Sequence, residues 1–402
     1  WENDGTYLDT MNRQAVAEFI RVTHEAYYER CGGDFGEVIP AIFTDEPNYG
    51  LAALLWFCED ADNKFCIHWT PNLPAEFEKR RGYSLLPFLP ELVFPRPEDK
   101  FSEVTYDYYR TITELFTENF TRQIGQWCGR HNLALTGHVL FEETLRSQIA
   151  AVGACMPHYE HMQWPGVDIL TDQTSELATV KQCSSVADQL GKERVLTELY
   201  GCTGWDWPLE GHKFIADWQF AAGVNFLCPH LSHYSLAGGA KRDYPASIID
   251  HSPWWKYYKT VTDYLARVGM MLSRRQPVRD ILVIHPIESA WGLFNYFRDK
   301  FAFRHENPDA DGAIHRAMDS IIFALTGHHY DWDFADESLL ARYGKIDGQN
   351  ILVGKMKYKL IVVPPLLTLR STTVSLLSEF LKQGGPVLFV DSRPNRIDGR
   401  IN

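Results

Sequence analysis

The stretch EVIPAIFTDEPNYG, Glu37–Gly50, decides the architecture of this chain. Its apolar run VIPAIF predicts a buried strand over 38–43. Asp45 and Glu46 follow directly, so this strand delivers two carboxylates to the loop at its carboxyl end. In a (β/α) barrel, that end of the strands carries the active site. The alternative is that the two acids cap a following helix, and a second carboxylate at another strand end would favour catalysis.

Four further apolar runs predict strands that alternate with helices, as a (β/α) barrel requires. The expected strands cover 133–137, 167–170, 194–199 and 224–227, and the polar residues at their carboxyl ends are His138, Asp172, Glu198 and His230. Five successive βα units predict strands four to eight of an eight-fold barrel over residues 1–275. Glu46 would end strand four and Glu198 strand seven, and the first three strands are expected upstream of Trp1.

Two other parts of the chain depart from the barrel pattern. Residues 50–100 are rich in proline and predict an insertion that walls the cleft at the barrel mouth. Residues 276–402 alternate strands and helices with parallel-sheet character, which predicts a separate doubly wound α/β domain, cut short at Asn402. This second part has no glycine-rich phosphate loop after its first strand. Packing or homo-oligomerisation is therefore favoured over a cofactor site there.

Composition narrows the classes of function. The net charge is −13, and no cluster of Lys and Arg is present, which argues against a nucleic-acid ligand. No apolar run is long enough to cross a bilayer, so a soluble protein without a membrane partner is expected. The eight cysteines form no CxxC motif, which predicts free thiols and favours a cytoplasmic location over secretion.

Two glutamates have the residue type and placement that glycoside hydrolysis needs. One carboxylic acid must protonate the leaving oxygen, and one carboxylate must attack the sugar or activate a water molecule. Glu46 and Glu198 stand at the ends of strands four and seven, which open onto the same mouth. Glu142 and Glu143, at the end of LTGHVLFEE, are the alternative for the second carboxylate.

The remaining candidates are polar or aromatic residues at strand ends that could bind a sugar. Histidines offer hydrogen bonds to hydroxyl groups, and tryptophans offer a face on which a sugar ring can stack. The alternatives are a structural role for each histidine and, for the tryptophans, plugging the barrel rim. The expected substrate-binding residues are Asp45, His138, Asp172, Trp205, Trp207, His230 and His233.

Longer segments resemble known enzymes. FTDEP at 43–47 and LTELYG at 196–201 resemble the strand-four and strand-seven motifs of clan A glycoside hydrolases, although Asp45 stands where the clan usually has Asn. With RRGYSLLPFLPELVF, LTGHVLFEE and ELYGCTGWDWPLEGHKF, the chain over about 1–275 is similar to the bacterial α-L-rhamnosidase family. Residues 276–402 resemble the trimerisation domain of bacterial β-galactosidases, a flavodoxin-like or glutamine-amidotransferase-like fold without catalytic machinery.

The resemblance implies cleavage of α-L-rhamnosides with inversion, with Glu46 as the general acid and Glu198 as the base or nucleophile. It also implies a calcium ion near the sugar, although the residues by themselves require no cofactor. The candidate oxygen ligands are Asp45, Asp172, Asp206 and Glu210. Two alternatives stay open: a retaining β-galactosidase-like hydrolase, and a carbohydrate-binding barrel without catalysis.

Overall fold

The computed structural model describes residues 7–50, 67–94, 97, 100–242, 244–274, 276–295, 299 and 312–402. Its amino-terminal part contains one parallel sheet that curls as a half-barrel, with neighbouring strands in chain order. The five strands are β1 Ala41–Thr44, β2 Ala134–Gly137, β3 Trp164–Ile169, β4 Leu196–Leu199 and β5 Phe226–Pro229. All pairings are parallel, so all five carboxyl ends lie at one edge. The five predicted strands are confirmed, and none of the described helices is long and apolar enough to span a membrane.

Helices connect these strands and cover the sheet. They are α1 Arg13–Phe19, α2 Ala26–Cys31, α3 Leu73–Arg81, α4 Leu89–Val93, α5 Glu103–Phe116, α6 Arg122–Arg130, α7 Leu145–Ala151, α8 Met156–Tyr159, α9 Leu177–Leu190, α10 Leu209–Ala222 and α11 Lys259–Ser273. The π-helical segments Ile20–Glu25 and Thr117–Thr121 join α1 to α2 and α5 to α6. The side chains of Asn12 and Ser102 accept hydrogen bonds from the first turns of α1 and α5, as N-caps do.

The first strand is shorter than its sequence pattern predicts. It begins at Ala41 rather than residue 38, because the backbone N–H groups of residues 37–39 all donate to the carbonyl of Asp34 in a turn. Val38 is accordingly 74% exposed. β3 starts three residues earlier than predicted, at Trp164, and β4 and β5 each start two residues later than predicted, at Leu196 and Phe226. In the predicted insertion, residues 51–66 lie outside the described residues, and α3 and α4 occupy much of the rest.

The carboxy-terminal part is built around a second parallel sheet. The strands of the carboxy-terminal part are β6 Ile281–Ile284, β7 Trp332–Ala335, β8 Gly344–Asp347, β9 Asn350–Val353, β10 Met356–Tyr358, β11 Leu360–Val363, β12 Thr368–Leu369, β13 Val387–Phe389, β14 Arg396–Ile397 and β15 Arg400–Ile401. Four of them form a parallel sheet in the order β13-β11-β6-β7, so β7 is added on one side of β6 and β11 and β13 on the other. The helices are α12 Ile287–Leu293, α13 Gly312–Gly327, α14 Glu337–Tyr343 and α15 Ser371–Lys382. The flavodoxin-like or amidotransferase-like identity of this part stays a prediction.

The two sheets are joined through α9 by buried charges as well as by apolar packing. Arg279, just before β6, is almost fully buried and donates to Asp333 on β7 at 2.7 Å. The same guanidinium pairs with Asp188 on α9 and with Asp331. Lys181, also on α9, lies 3.1 Å from Asp331. A single apolar cluster extends from the half-barrel into the second sheet, so the two parts share a core.

Candidate active site

The strand register places three polar or reactive side chains in one row at the carboxyl edge of the half-barrel. Glu198 on β4 pairs with Asp168 on β3 and with Cys228 on β5. Residues level with each other on neighbouring strands project from the same face of a sheet. Asp168 and Glu198 therefore stand side by side, although they are far apart in the sequence.

His138 reaches this row because of a tight backbone contact at the end of β2. Gly137 has φ 115°, and a Cβ at this position would lie 2.0 Å from the carbonyl oxygen of Thr44. Only glycine fits this approach. The backbone N–H of His138 then donates to the same carbonyl at 3.2 Å, and the imidazole is directed towards Glu198.

A buried ion pair between His138 and Glu198 is the centre of the site. The distance from His138 Nε2 to Glu198 Oε2 is 2.8 Å, and the imidazole is fully buried. Burial lowers the pKa of His138, but the hydrogen bond to Glu198 and the charges of Asp168 and Glu142 outweigh it and raise the pKa to about 9. At neutral pH, an imidazolium therefore holds the Glu198 carboxylate in place. His230 lies on the other side of this carboxylate, with Nε2 3.8 Å from Oε1.

Glu46 occupies a different environment, at the end of β1. Its backbone has φ 48°, which is unusual for a residue with a side chain, and the side chain of Asn48 fixes the turn by donating to its carbonyl at 3.0 Å. Burial raises the pKa of the Glu46 carboxyl, the charge of His138 opposes this rise, and the carboxylates of Asp45 and Glu198 add to it. Glu46 is thus biased towards its protonated form within electrostatic reach of Glu198.

Glu142, the alternative candidate for the second carboxylate, lies in a buried, hydrogen-bonded environment. It is fully buried, accepts a hydrogen bond from Tyr159 at 2.5 Å and accepts another from the backbone N–H of Asp168 at 3.1 Å. Burial raises its pKa to about 7. Glu143 is half-buried, and its charge also raises the pKa of Glu46. Both oxygens of Glu142 are therefore engaged, which favours Glu198 over Glu142 as the partner of Glu46.

Asp168 is the site residue that sequence reasoning missed. Burial raises its pKa to about 8, the charge of His138 opposes the shift, and Glu198 and Glu46 reinforce it. The strand pattern VDIL contained the signal, because an ionisable residue inside an apolar strand needs a partner or a function. The predicted strand-end acid, Asp172, is instead exposed.

The other expected sugar-binding residues are distributed around the mouth. Trp207 is buried against the rings of Tyr200 and His212, at centroid distances of 5.3 and 4.3 Å, which favours the rim-packing alternative. Trp205 is half-buried, and its indole donates to the carbonyl of Lys241 at 3.1 Å. The backbone of His233 donates to Ser247 at 2.9 Å.

The four predicted calcium ligands do not form one group among the described residues, and the calcium ion stays a prediction. Asp45, His138 and Glu198 bring one ligand atom each within 4.8 Å of one another. Calcium prefers six to eight oxygen ligands, whereas this set includes an imidazole nitrogen that holds a proton at neutral pH. Among the described residues, Asp172, Asp206 and Glu210 do not join Asp45 in such a group. No catalytic step is therefore assigned to calcium.

A curled half-barrel with two glutamates at separate strand ends defines the class of (β/α)-barrel glycoside hydrolases. The sequence model described as alpha-L-rhamnosidase matches residues 1–291. The chain belongs to the α-L-rhamnosidase family of glycoside hydrolases.

Two solved structures agree with this assignment at the level of fold. The rhamnosidase from Novosphingobium sp. PP1Y aligns with 97% of this chain and 34% of its own, at a TM-score of 0.69 and 19% identity. An exo-carrageenase from Bacteroides ovatus covers 98% of this chain and 55% of its own, at a TM-score of 0.64 and 11% identity. These likenesses show the fold.

One curated relative is similar in sequence. A Formosa agariphila protein, whose name assigns it provisionally to the beta-glucuronidases, is 28% identical over 289 residues. The aligned region is 69% of this chain and 22% of that protein. The chain thus spans about a third or less of the rhamnosidase and of the curated relative.

Proposed function

We propose that this chain carries the catalytic carboxylates of an enzyme that hydrolyses α-L-rhamnosides, with Glu46 as the general acid and Glu198 as the base. One observation carries the assignment: the two glutamates lie in opposite electrostatic environments. Burial and neighbouring carboxylates raise the pKa of Glu46 against the opposing charge of His138, while Glu198 is hydrogen-bonded at 2.8 Å to the buried imidazole of His138. Two carboxyl groups whose environments differ in this way suit an acid and a base.

The proposed chemistry uses these two environments. Glu46 donates its proton to the glycosidic oxygen as the bond to the sugar breaks, and the leaving group departs as an alcohol. In the inverting mechanism that the family resemblance implies, Glu198 removes a proton from the water molecule that attacks the anomeric carbon. His138 donates its hydrogen bond to the base, so it is a positioning residue that orients Glu198 through a charge-assisted hydrogen bond.

Glutamine substitutions test the assignment. Glu46→Gln and Glu198→Gln keep the side-chain shape and remove the acid or the base, so each should lower kcat by roughly 10²- to 10⁴-fold on an aryl α-L-rhamnoside. The exposed Glu379, on α15, provides a matched control as Glu379→Gln. Turnover within about tenfold of wild type in either site variant would refute the role of that glutamate as acid or base.

The product anomer decides between the two mechanisms. Proton NMR of the first sugar released by the wild-type enzyme shows inversion if Glu198 acts as a base and retention if it acts as a nucleophile. A retained anomer would replace the base role of Glu198 with a nucleophile role and leave Glu46 as the acid.

A further inference from the structure

Asp168 has an incomplete hydrogen-bonding environment inside the proposed site. Its Oδ1 atom is buried and has no hydrogen-bond partner among the described residues. Buried polar atoms are normally paired, so an unpaired one at a functional edge calls for a specific explanation. Its position is fixed from two sides, because β3 pairs with β4 and its backbone N–H donates to Glu142 at 3.1 Å.

Asp168 lies beside the proposed base. It stands level with Glu198, on the same face of the neighbouring strand. A sugar held between Glu46 and Glu198 would therefore lie next to Asp168. Glu142 already accepts hydrogen bonds from Tyr159 and from the backbone N–H of Asp168, so it does not supply a partner for the Asp168 carboxyl group.

The charges around Asp168 decide its chemical form. The titratable groups that face it or interact with it electrostatically are Glu46, His138, Glu142, Glu176, Glu198 and Cys202. Four of these are carboxyl groups and one is a cation, so a further negative charge is unfavourable there. Burial and these neighbours raise the pKa of Asp168 to about 8, which keeps it neutral at pH 7. A neutral carboxylic acid can donate a hydrogen bond, which a carboxylate cannot.

We propose that Asp168 is a substrate-binding residue that donates a hydrogen bond to a hydroxyl group of the sugar held between Glu46 and Glu198. This inference rests on the proposed function and extends it to the recognition of the sugar. The other oxygen of a carboxylic acid can accept a hydrogen bond, so the group suits a sugar hydroxyl, which can both donate and accept. A site built to pair with a hydroxyl discriminates strongly against an analogue that lacks it.

Three substitutions in the intact enzyme test the proposal. Asp168→Ala removes the hydrogen bond and should raise KM for an aryl α-L-rhamnoside roughly tenfold to hundredfold at pH 6. Asp168→Asn keeps a neutral donor and acceptor, so its KM at pH 6 should stay within about threefold of wild type. Asp347→Asn, at an exposed position on β8, is the matched control.

The pH profile separates this role from a merely structural one. In the wild type, KM should rise as pH rises through about 8, because Asp168 loses its proton there, whereas loss of the proton from the general acid Glu46 lowers kcat. In Asp168→Asn, KM should stay constant over this pH range. A KM that rises with pH in Asp168→Asn as it does in the wild type, or an unchanged KM in Asp168→Ala, would overturn the proposal. If the alanine variant fails to fold, the profile of the asparagine variant decides.

Calorimetric titration with free L-rhamnose keeps the two hypotheses apart. Weaker binding to Asp168→Ala than to wild type supports the Asp168 role even if no rhamnoside is turned over, and in that case only the proposed catalysis fails. Turnover by the wild type together with equal sugar binding by both proteins overturns the Asp168 role alone. The absence of measurable binding of L-rhamnose to the wild type also overturns it.

Discussion

Replacing His138 with glutamine tests whether its imidazolium stabilises the site. The pKa of His138 rises from 6.5 to about 9 in the folded protein, and the side chain has no solvent-exposed surface. Each pKa unit corresponds to about 1.4 kcal/mol, so the charged imidazole contributes on the order of 3 kcal/mol to stability. This contribution is fully present below pH 6.5, the unfolded value, and is lost as pH rises through about 9.

Urea unfolding of wild type and His138→Gln at pH 6 and pH 9.5 measures this contribution directly. The substitution should lower the free energy of unfolding at pH 6, and this loss should be about 3 kcal/mol larger than the loss at pH 9.5. The reason is that glutamine keeps a hydrogen-bond donor but carries no charge. The exposed His328 provides the control as His328→Gln. A difference in unfolding free energy that is the same at both pH values would refute the assignment of the charge to His138.

Two further predictions concern the stability of the whole chain. Arg279→Met leaves Asp333 buried without its guanidinium, so the free energy of unfolding should fall by about 3–5 kcal/mol, and a loss below 1 kcal/mol in urea unfolding would contradict a structural role for the network. The melting temperature should also fall, by roughly 5 °C or more, between pH 7 and pH 9, and a flat or rising profile in calorimetry would show the sign to be wrong. The sign follows because, over this pH range, the folded state binds protons more tightly than the unfolded chain at groups whose pKa is raised to about 8 or 9: His138, Asp168 and Glu176.

Sequence patterns could predict the half-barrel because each strand is a short apolar run followed by polar residues. The same logic located Glu46 and Glu198, since a carboxylate after a buried strand lies at the catalytic edge of a barrel. Strand starts were less accurate. At β1, the turn around the Asp34 carbonyl satisfies backbone groups that the apolar pattern had assigned to the sheet.

The missed details depend on side-chain direction and on pairing between strands. Asp168 and Glu198 are neighbours because β3 and β4 pair in a particular register, which neither segment encodes alone. Asp172 follows its strand by only a few residues, yet it is exposed while Asp168 points inward. Trp207 and Trp205 stand in one short motif, but only the tertiary packing shows that Trp207 is buried in an aromatic cluster.

The buried charges along α9 limit how this chain can be divided. A protein shortened to end at residue 275 would keep Lys181 and Asp188 on α9. It would lose the charged partners of these two residues in the carboxy-terminal part, which are Arg279, Asp331 and Asp333. The half-barrel alone would therefore bury charged groups without their partners, and we do not expect it to fold as an independent domain. Exchange of the second sheet between relatives would also require exchange of the α9 residues that face it, because the charges on α9 and on the second sheet pair with each other.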